Sequence, residues 1–394
     1  MGRRQEEAGV RFRVDQQGFA DAVAWTARAL PSRPAVPVLA GMRLDLSDPA
    51  SGRLQLSSFD YEVSARAAVD VAAVEAGTVL VSGRLLAEIV RNLPDRPVEV
   101  AADGPRVTLT CGGARFTLLT LPLEDYPRLP EMPAAVGSVA ADAFALAARQ
   151  VTPVASRDDT LPMLTGVHLS MAADSMTWAA TDRYRIVVRE LWWHPEHPDL
   201  AATALVPART LAETARALVN GSNVGIALFS PERGAGDSTM PSEGMIGFDN
   251  AGRQMTTRLI DSEFVNYQAR FPSDFSARAR VPTAPLLEAV KRVALVAERG
   301  TPLRLSFSAH EVVLEAGSGD DAQALEAMQV EFGGDELSIA FNVQYLLDGL
   351  GAVDSEHADI GFTSPTKPAV ISNVPADESD RPDLRYLVMP LRVS

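Results

Sequence analysis

Two histidines, His194 and His197, stand three residues apart in WWHPEHP, a spacing at which two imidazoles can share a metal ion. Prolines flank both, so no helix aims the rings at one point, and no carboxylate is placed to complete a ligand set; a metal site is not expected. The glycines of GSGDDAQA around Gly317 and of GFTSPTKP lack the order of a phosphate-binding P-loop, and Asp320 and Asp321 read as loop acids. No GxSxG element marks a nucleophile. The single Cys111, in VTLTCGG, can form neither an intrachain disulfide nor a thiolate cluster and reads as a small buried apolar residue. Catalysis therefore has no local signature, and no cofactor is expected.

What the chain does show is repetition. Phe19, Val23, Thr26 and Leu30 recur as Phe144, Ala148, Val151 and Ala155, and again as Leu286, Val290, Val293 and Ala297, always at i, i+4, i+7, i+11. This is the apolar stripe of an amphipathic helix. A second stripe follows each first one: Leu86, Ile89, Leu93, then Leu211, Thr214, Leu218, then Leu346, Leu350, Val353. The offsets from Phe19 to Leu86 and from Phe144 to Leu211 are both 67 residues, and from Leu286 to Leu346 the offset is 60. The repeat is far longer than the roughly 20 to 50 residues of a solenoid unit, so each unit is domain-sized.

Within each third the order is helix, strands, helix, strands, which makes the chain α+β with three tandem similar domains. The expected boundaries are an N-terminal extension over 1–9 and domains over 10–130, 138–272 and 281–394, with linkers at Pro127 to Gly137 and Phe271 to Pro282. Ser82 and Asn342 are expected to cap the second helices of their units, while Pro207 suits a first turn. VEVAADGPRVTLTCGGARFTLLTL reads as two hairpin-linked strands, and Ser230 to Gly244 as a long hairpin loop.

Composition bounds the possibilities. With 394 residues, 46% apolar and 22% charged, each third can bury its own core. The opening MGRRQEEAG lacks the apolar segment of a signal peptide and no run is long enough to span a bilayer, so a cytoplasmic protein with no membrane partner is expected. A net charge of −15 argues against wrapping nucleic acid with the whole surface, but leaves room for a basic channel inside an acidic exterior.

The triple repeat, together with LPMLTG, TDRYR, FNVQYLLDGL and the terminal YLVMPLR, resembles the bacterial DNA polymerase III beta subunit family, the β sliding clamps, from about Val10 to Ser394, with an actinobacterial character in SSFDYEVSAR and VALVAER. The resemblance implies a head-to-tail homodimeric ring, with helices lining a hole that duplex DNA threads and sheets outside. It implies a non-catalytic processivity factor for DNA replication. The implied partners are double-stranded DNA read without sequence preference, the polymerase III alpha subunit, the clamp loader and other proteins bearing a clamp-binding motif.

Two amphipathic helices per unit can bury their stripes and turn polar faces to such a channel. The candidates for phosphate contact are then Arg28, Arg84, Arg91, Arg209, Arg216, Lys291 and Arg292, to which the resemblance adds Arg33 and Arg157. The resemblance also implies a dimer contact of Phe116 and Leu118 against Ala294 and Leu295. It places a peptide cleft between the second and third domains, with walls from Leu164, Thr181, Arg183, Arg185, Ile186, Asn342, Tyr345, Val388, Met389, Pro390, Leu391 and Arg392.

One wall departs from the family pattern. Val265 stands where proline is common and Arg270 where an apolar residue is common, Gln268 lies between them, and Gly300 leaves another wall position bare. Losing a fixed φ and gaining a charge at the rim points to a divergent clamp that tolerates a cyclic peptide antibiotic aimed at the same cleft. The rival reading is an acidic interaction scaffold that never encircles DNA.

Overall fold

The structure, a computed structural model, describes residues 9–218, 222–229, 244–297, 301–317, 322–377 and 381–391. Six helices of eight or more residues occur among the described residues: Gln16–Thr26, Gly83–Arg91, Ala141–Val151, Ala208–Ala215, Thr283–Val293 and Val343–Ala352. They form three pairs at the positions of the two repeated stripes. Each first helix stops before the fourth stripe residue. A short 3-10 turn follows, over Ala27–Ala29, Thr152–Val154 and Ala294–Val296.

The chain divides into two compact units, Met1–Ala141 with Arg216–Leu259, and Asp142–Ala215 with Ile260–Ser394. In the first unit the helices Gln16–Thr26 and Gly83–Arg91 pack against each other. Their stripe residues Phe19, Val23, Thr26 and Leu86 are buried, with Phe12 meeting Phe19 edge to face at 6.3 Å. The Gln16 carboxamide donates to the Val90 carbonyl at 2.9 Å and ties one helix to the end of the other. The long strand Val63–Glu75 organises the sheet. It pairs antiparallel with Arg11–Val14 and Arg53–Phe59, and also with Arg253–Arg258 from a distant part of the chain. Cys111 is a buried member of this core, as its sequence context suggests.

The stretch read as two hairpin-linked strands is three, Val98–Asp103, Arg106–Cys111 and Ala114–Leu119, because Gly104 and Gly112 both take the left-handed backbone of a tight turn. The expected linkers are also partly strand. Ala135–Ala140 pairs with Asn223–Phe229, and Ala277–Pro282 with His357–Phe362, since main-chain pairing with neighbouring strands overrides the turn-like composition. Residues 230–243 of the expected hairpin loop lie outside the described residues, while the flanking strands Asn223–Phe229 and Met245–Asn250 pair as a hairpin requires.

In the second unit a nine-stranded antiparallel sheet runs in the order Ala201–Pro207, Gly166–Ala172, Ser175–Thr181, Arg185–Trp192, Leu384–Val388, Ala369–Asn373, His357–Phe362, Ala277–Pro282, Glu331–Gly333. A four-stranded sheet orders Ala324–Gln329, Glu311–Ala316, Leu303–Phe307, Leu337–Phe341. Phe144 and Trp178 pack edge to face at 5.1 Å in the core, and the Gln150 carboxamide donates to the Ala352 carbonyl at 2.7 Å.

Gly349 lets the helix Val343–Ala352 settle on the sheet. A Cβ there would lie 2.7 Å from the Tyr386 ring and 3.2 Å from Ile371. Gly349→Ala is expected to cost about 1–3 kcal/mol through overpacking, despite alanine's better helix propensity, as measured by urea unfolding.

Candidate functional site

Strands Ser175–Thr181 and Arg185–Trp192 are joined by the turn Asp182-Arg183-Tyr184. The Thr181 hydroxyl donates to the Arg185 carbonyl at 2.7 Å, and Asp182 Oδ1 accepts the amides of Tyr184 and Arg185 at 3.0 and 3.2 Å. These bonds hold Arg183 at φ 83°, a left-handed conformation that costs a non-glycine residue on the order of 1 kcal/mol or more. The turn thereby leaves Arg183 and Tyr184 exposed. The segment TWAATDRYRIVVREL is thus two strands around a strained corner.

Arg185 does not face solvent. Its guanidinium donates to Asp182 at 2.9 Å, to Asp348 on the helix Val343–Ala352, to the Tyr386 hydroxyl at 3.1 Å and to the Pro153 carbonyl at 2.9 Å. It also lies 4.4 Å from the Tyr345 ring centre. Burial alone would lower its pKa, but Tyr386, Asp348 and Asp182 outweigh that and shift it upward, so the charge is retained. Burial pushes the Tyr386 phenol up as well, and its hydroxyl donates to the Tyr345 carbonyl at 2.9 Å. Asn342 caps the helix as expected, accepting the amides of Gln344 and Tyr345 at 2.9 and 3.2 Å. Ser82 at the matching position makes no side-chain cap, which corrects that expectation.

The outcome is a fixed aromatic corner. Tyr345 stacks with Tyr184 at 6.3 Å and 22°. Tyr184, 56% exposed, is a surface residue that the sequence reading passed over; its place within TDRYR was the available signal.

Strand alternation divides the remaining wall residues. Arg185 is opposite Val388, and Ile186 opposite Leu387. Arg185 and Val388 therefore share the helix side, while Ile186 joins Ala179, Val188, Tyr267, Val370 and Leu387 on the other. Phe264 and Phe271 pack against that second cluster, so the segment carrying Val265 and Arg270 is anchored by its aromatics, and both of those residues are exposed. Leu164 is buried in the short helix Pro162–Thr165. Met389 donates its amide to the Tyr184 carbonyl at 2.9 Å and Leu391 to the Ala340 carbonyl at 2.8 Å; Pro390 lies between them. Met389 and Leu391 present exposed apolar side chains. Arg392, Gly300, Asp320 and Asp321 lie outside the described residues.

His168 stacks on Phe264 at 5.1 Å beside this cluster, and burial pulls its imidazole below the ordinary 6.5. The folded state then binds the proton more weakly than the unfolded one. The histidine's contribution is present above about pH 6.5 and lost as pH falls through the lower folded value. His168→Phe is expected to flatten the loss of stability below pH 6.5, measured by urea midpoints across pH; an unchanged slope would rule His168 out as its source.

Every predicted phosphate-contacting residue is exposed: Arg28, Arg33, Arg84, Arg91 and Arg216 in the first unit, Arg157, Arg209, Lys291 and Arg292 in the second. Arg91, Lys291 and Arg292 sit in last helical turns, where the helix dipole favours cations. Arg84 donates to the Pro31 carbonyl at 2.8 Å, Lys291 to Glu288 at 2.7 Å, and Arg292 to Glu326. Such exposed pairs are worth little and exchange readily for another anion.

The expected dimer contact through Leu118 is corrected. Leu118 is 2% exposed and belongs to the first unit's core; it is the one buried residue of Ala114–Leu119 and lies opposite buried Val107. Phe116 and Leu119 are the exposed apolar residues of that strand, which ends its sheet, and Leu295 is 85% exposed in the second unit, next to half-buried Ala294.

Three tandem stretches match family descriptions: the DNA polymerase III beta subunit N-terminal domain over residues 10–130, its central domain over 138–266 and its C-terminal domain over 268–392. The chain belongs to the DNA polymerase III beta subunit family. It is 54% identical to the beta sliding clamp of Streptomyces coelicolor over 386 residues, covering 98% of this chain and 100% of that one. It is 42% identical to the beta sliding clamp homolog GriR of Streptomyces muensis, over 97% of this chain and 99% of that one. Among solved clamps of the family, that of Pseudomonas aeruginosa bound to griselimycin superposes with a TM-score of 0.86 at 25% identity, over 98% of this chain and 100% of that one. That of Bacillus subtilis superposes at 0.87 with 23% identity, over 98% and 100%, a likeness of fold.

Proposed function

We propose that this chain is a DNA sliding clamp, a non-catalytic processivity factor that closes head to tail with a second copy around duplex DNA. In this reading it tethers the polymerase III alpha subunit, the clamp loader and other motif-bearing proteins through the cleft around Tyr184, Arg185, Tyr345 and Met389. The single observation carrying it is the tandem match of all three family domains, with 54% identity to a beta sliding clamp along its whole length. The physics agrees with the role. Exposed arginines at helix ends attract phosphates without reading bases, so DNA is held in a salt-dependent manner and can slide, while closure of the ring supplies residence. Replication on the chromosome places the protein in the cytoplasm; among the described residues no helix is long and apolar enough to cross a membrane.

The deciding measurement is topological. The chain should elute at twice its subunit mass and, after loading, stay on circular DNA and leave once the circle is cut. Retention that ignores the cut would mean ordinary DNA binding, and retention on neither would favour an acidic scaffold.

A second reading, tolerance to a clamp-directed antibiotic, has specific support in Val265 and Arg270, in the likeness to GriR and in the griselimycin complex of a family member. The higher identity to the Streptomyces coelicolor clamp favours the replicative role. Griselimycin affinity equal to that of an ordinary clamp would remove the tolerance reading.

A further inference from the structure

Four residues beyond Arg185, on the same face of the strand Arg185–Trp192, lies a second buried arginine. Arg189 is 9% exposed. Its guanidinium donates to Asp383 at 2.8 Å and lies 3.6 Å from Asp354, which follows the helix Val343–Ala352. Asp383 immediately precedes the strand Leu384–Val388. Its carboxylate also accepts the Asn373 carboxamide at 2.6 Å, its carbonyl accepts the Glu190 amide at 2.7 Å, and the Asn373 oxygen accepts the Leu384 amide at 3.0 Å.

The strand Leu384–Val388 needs such a device. Tyr386 and Val388 on one face and Leu387 on the other are buried alike, so apolar alternation does not specify its register. A slip of two residues against Arg185–Trp192 keeps every side chain on its own face. It would move Met389, Pro390 and Leu391 along the cleft by about 6.6 Å. The contact of Tyr386 with Gly349 holds the middle of the strand; its entry is held by Arg189. Registry is the best-attested use of a buried charge that stability alone would not retain.

We propose that Arg189, with Asp383 and Asn373, is a positioning residue for the peptide cleft: it locks the register of the last strand and so sets where Val388 to Leu391 present themselves. This rests on the cleft reading above. The test uses the full chain, a polymerase-derived clamp-binding peptide followed by fluorescence anisotropy, and amide exchange across Leu384–Leu391.

Arg189→Met is expected to weaken the peptide about tenfold through faster release, equivalent to about 1.4 kcal/mol, and to speed exchange across that segment. Adding Asp383→Asn removes the nearer of the two carboxylates that lose Arg189, leaving Asp354. The double variant should regain melting temperature without regaining affinity, an outcome that a merely structural arginine would not give. Affinity that returns together with stability, or exchange left unchanged by Arg189→Met, would overturn the proposal. A wild-type chain that binds no peptide would instead sink the cleft reading, with the exchange arm still deciding the lock.

Discussion

Replacing Leu295 by aspartate is expected to turn the dimer into monomers and abolish retention on circular DNA. Leu295 is the most exposed large apolar side chain among the described residues at 85%, and Leu325, on the edge strand Ala324–Gln329, is 71% exposed. Burying such residues in water-excluding contact is what makes an interface strong, and a carboxylate there would have to be desolvated without a partner. The dissociation constant should rise at least about 100-fold, or about 2.7 kcal/mol, by sedimentation equilibrium. In the proposed head-to-tail ring the matching edge is the first unit's strand Ala114–Leu119, so Phe116→Asp or Leu119→Asp should act the same way. Leu118→Ala separates the two kinds of residue. Buried in the first unit's core, it should cost about 2–5 kcal/mol of folding stability and leave the association of folded subunits alone. If Leu118→Ala dissociates the dimer while Leu295→Asp does not, the edge contact is wrongly placed.

That contrast also shows what the sequence could and could not reveal. The helices were legible because a stripe at helical spacing is a local property, and Phe19, Phe144 and Leu286 are each fully buried where the repeat puts them. Leu118 and Leu119 were not separable, since in RFTLLTL both are apolar and only the pairing of Leu118 with Val107 fixes which turns inward. Three repeats yield two compact units for a related reason. Arg253–Arg258 pairs with Val63–Glu75, and Arg185–Trp192 with Leu384–Val388, and such non-local edges leave no periodic trace. The site behaves likewise. TDRYR and YLVMPLR mark the cleft only through family resemblance, whereas Asp348, Tyr386 and Tyr184 become visible once the strand and helix that carry them meet.

Arg185→Leu is where these threads converge, because the same guanidinium is a buried charge, a helix anchor and the support of an aromatic wall. Removing it strands Asp182 and Asp348 beside a buried phenol, and breaking a buried pair from one side costs about 3–5 kcal/mol. The second unit should lose that much in urea unfolding followed by Trp178 and Trp193, both buried there. Cleft affinity should fall further than stability predicts, since Tyr345 loses the cation beneath its ring and Asp348 its hold on the strand. Arg185→Lys discriminates between charge and geometry. Lysine restores a positive charge but not a planar fork able to reach Asp182, Asp348, Tyr386 and Pro153 together, so it should recover part of the stability and little of the affinity. Full recovery of peptide binding in the lysine variant would show that charge alone sustains the cleft, and the positional account of Arg185 would fail.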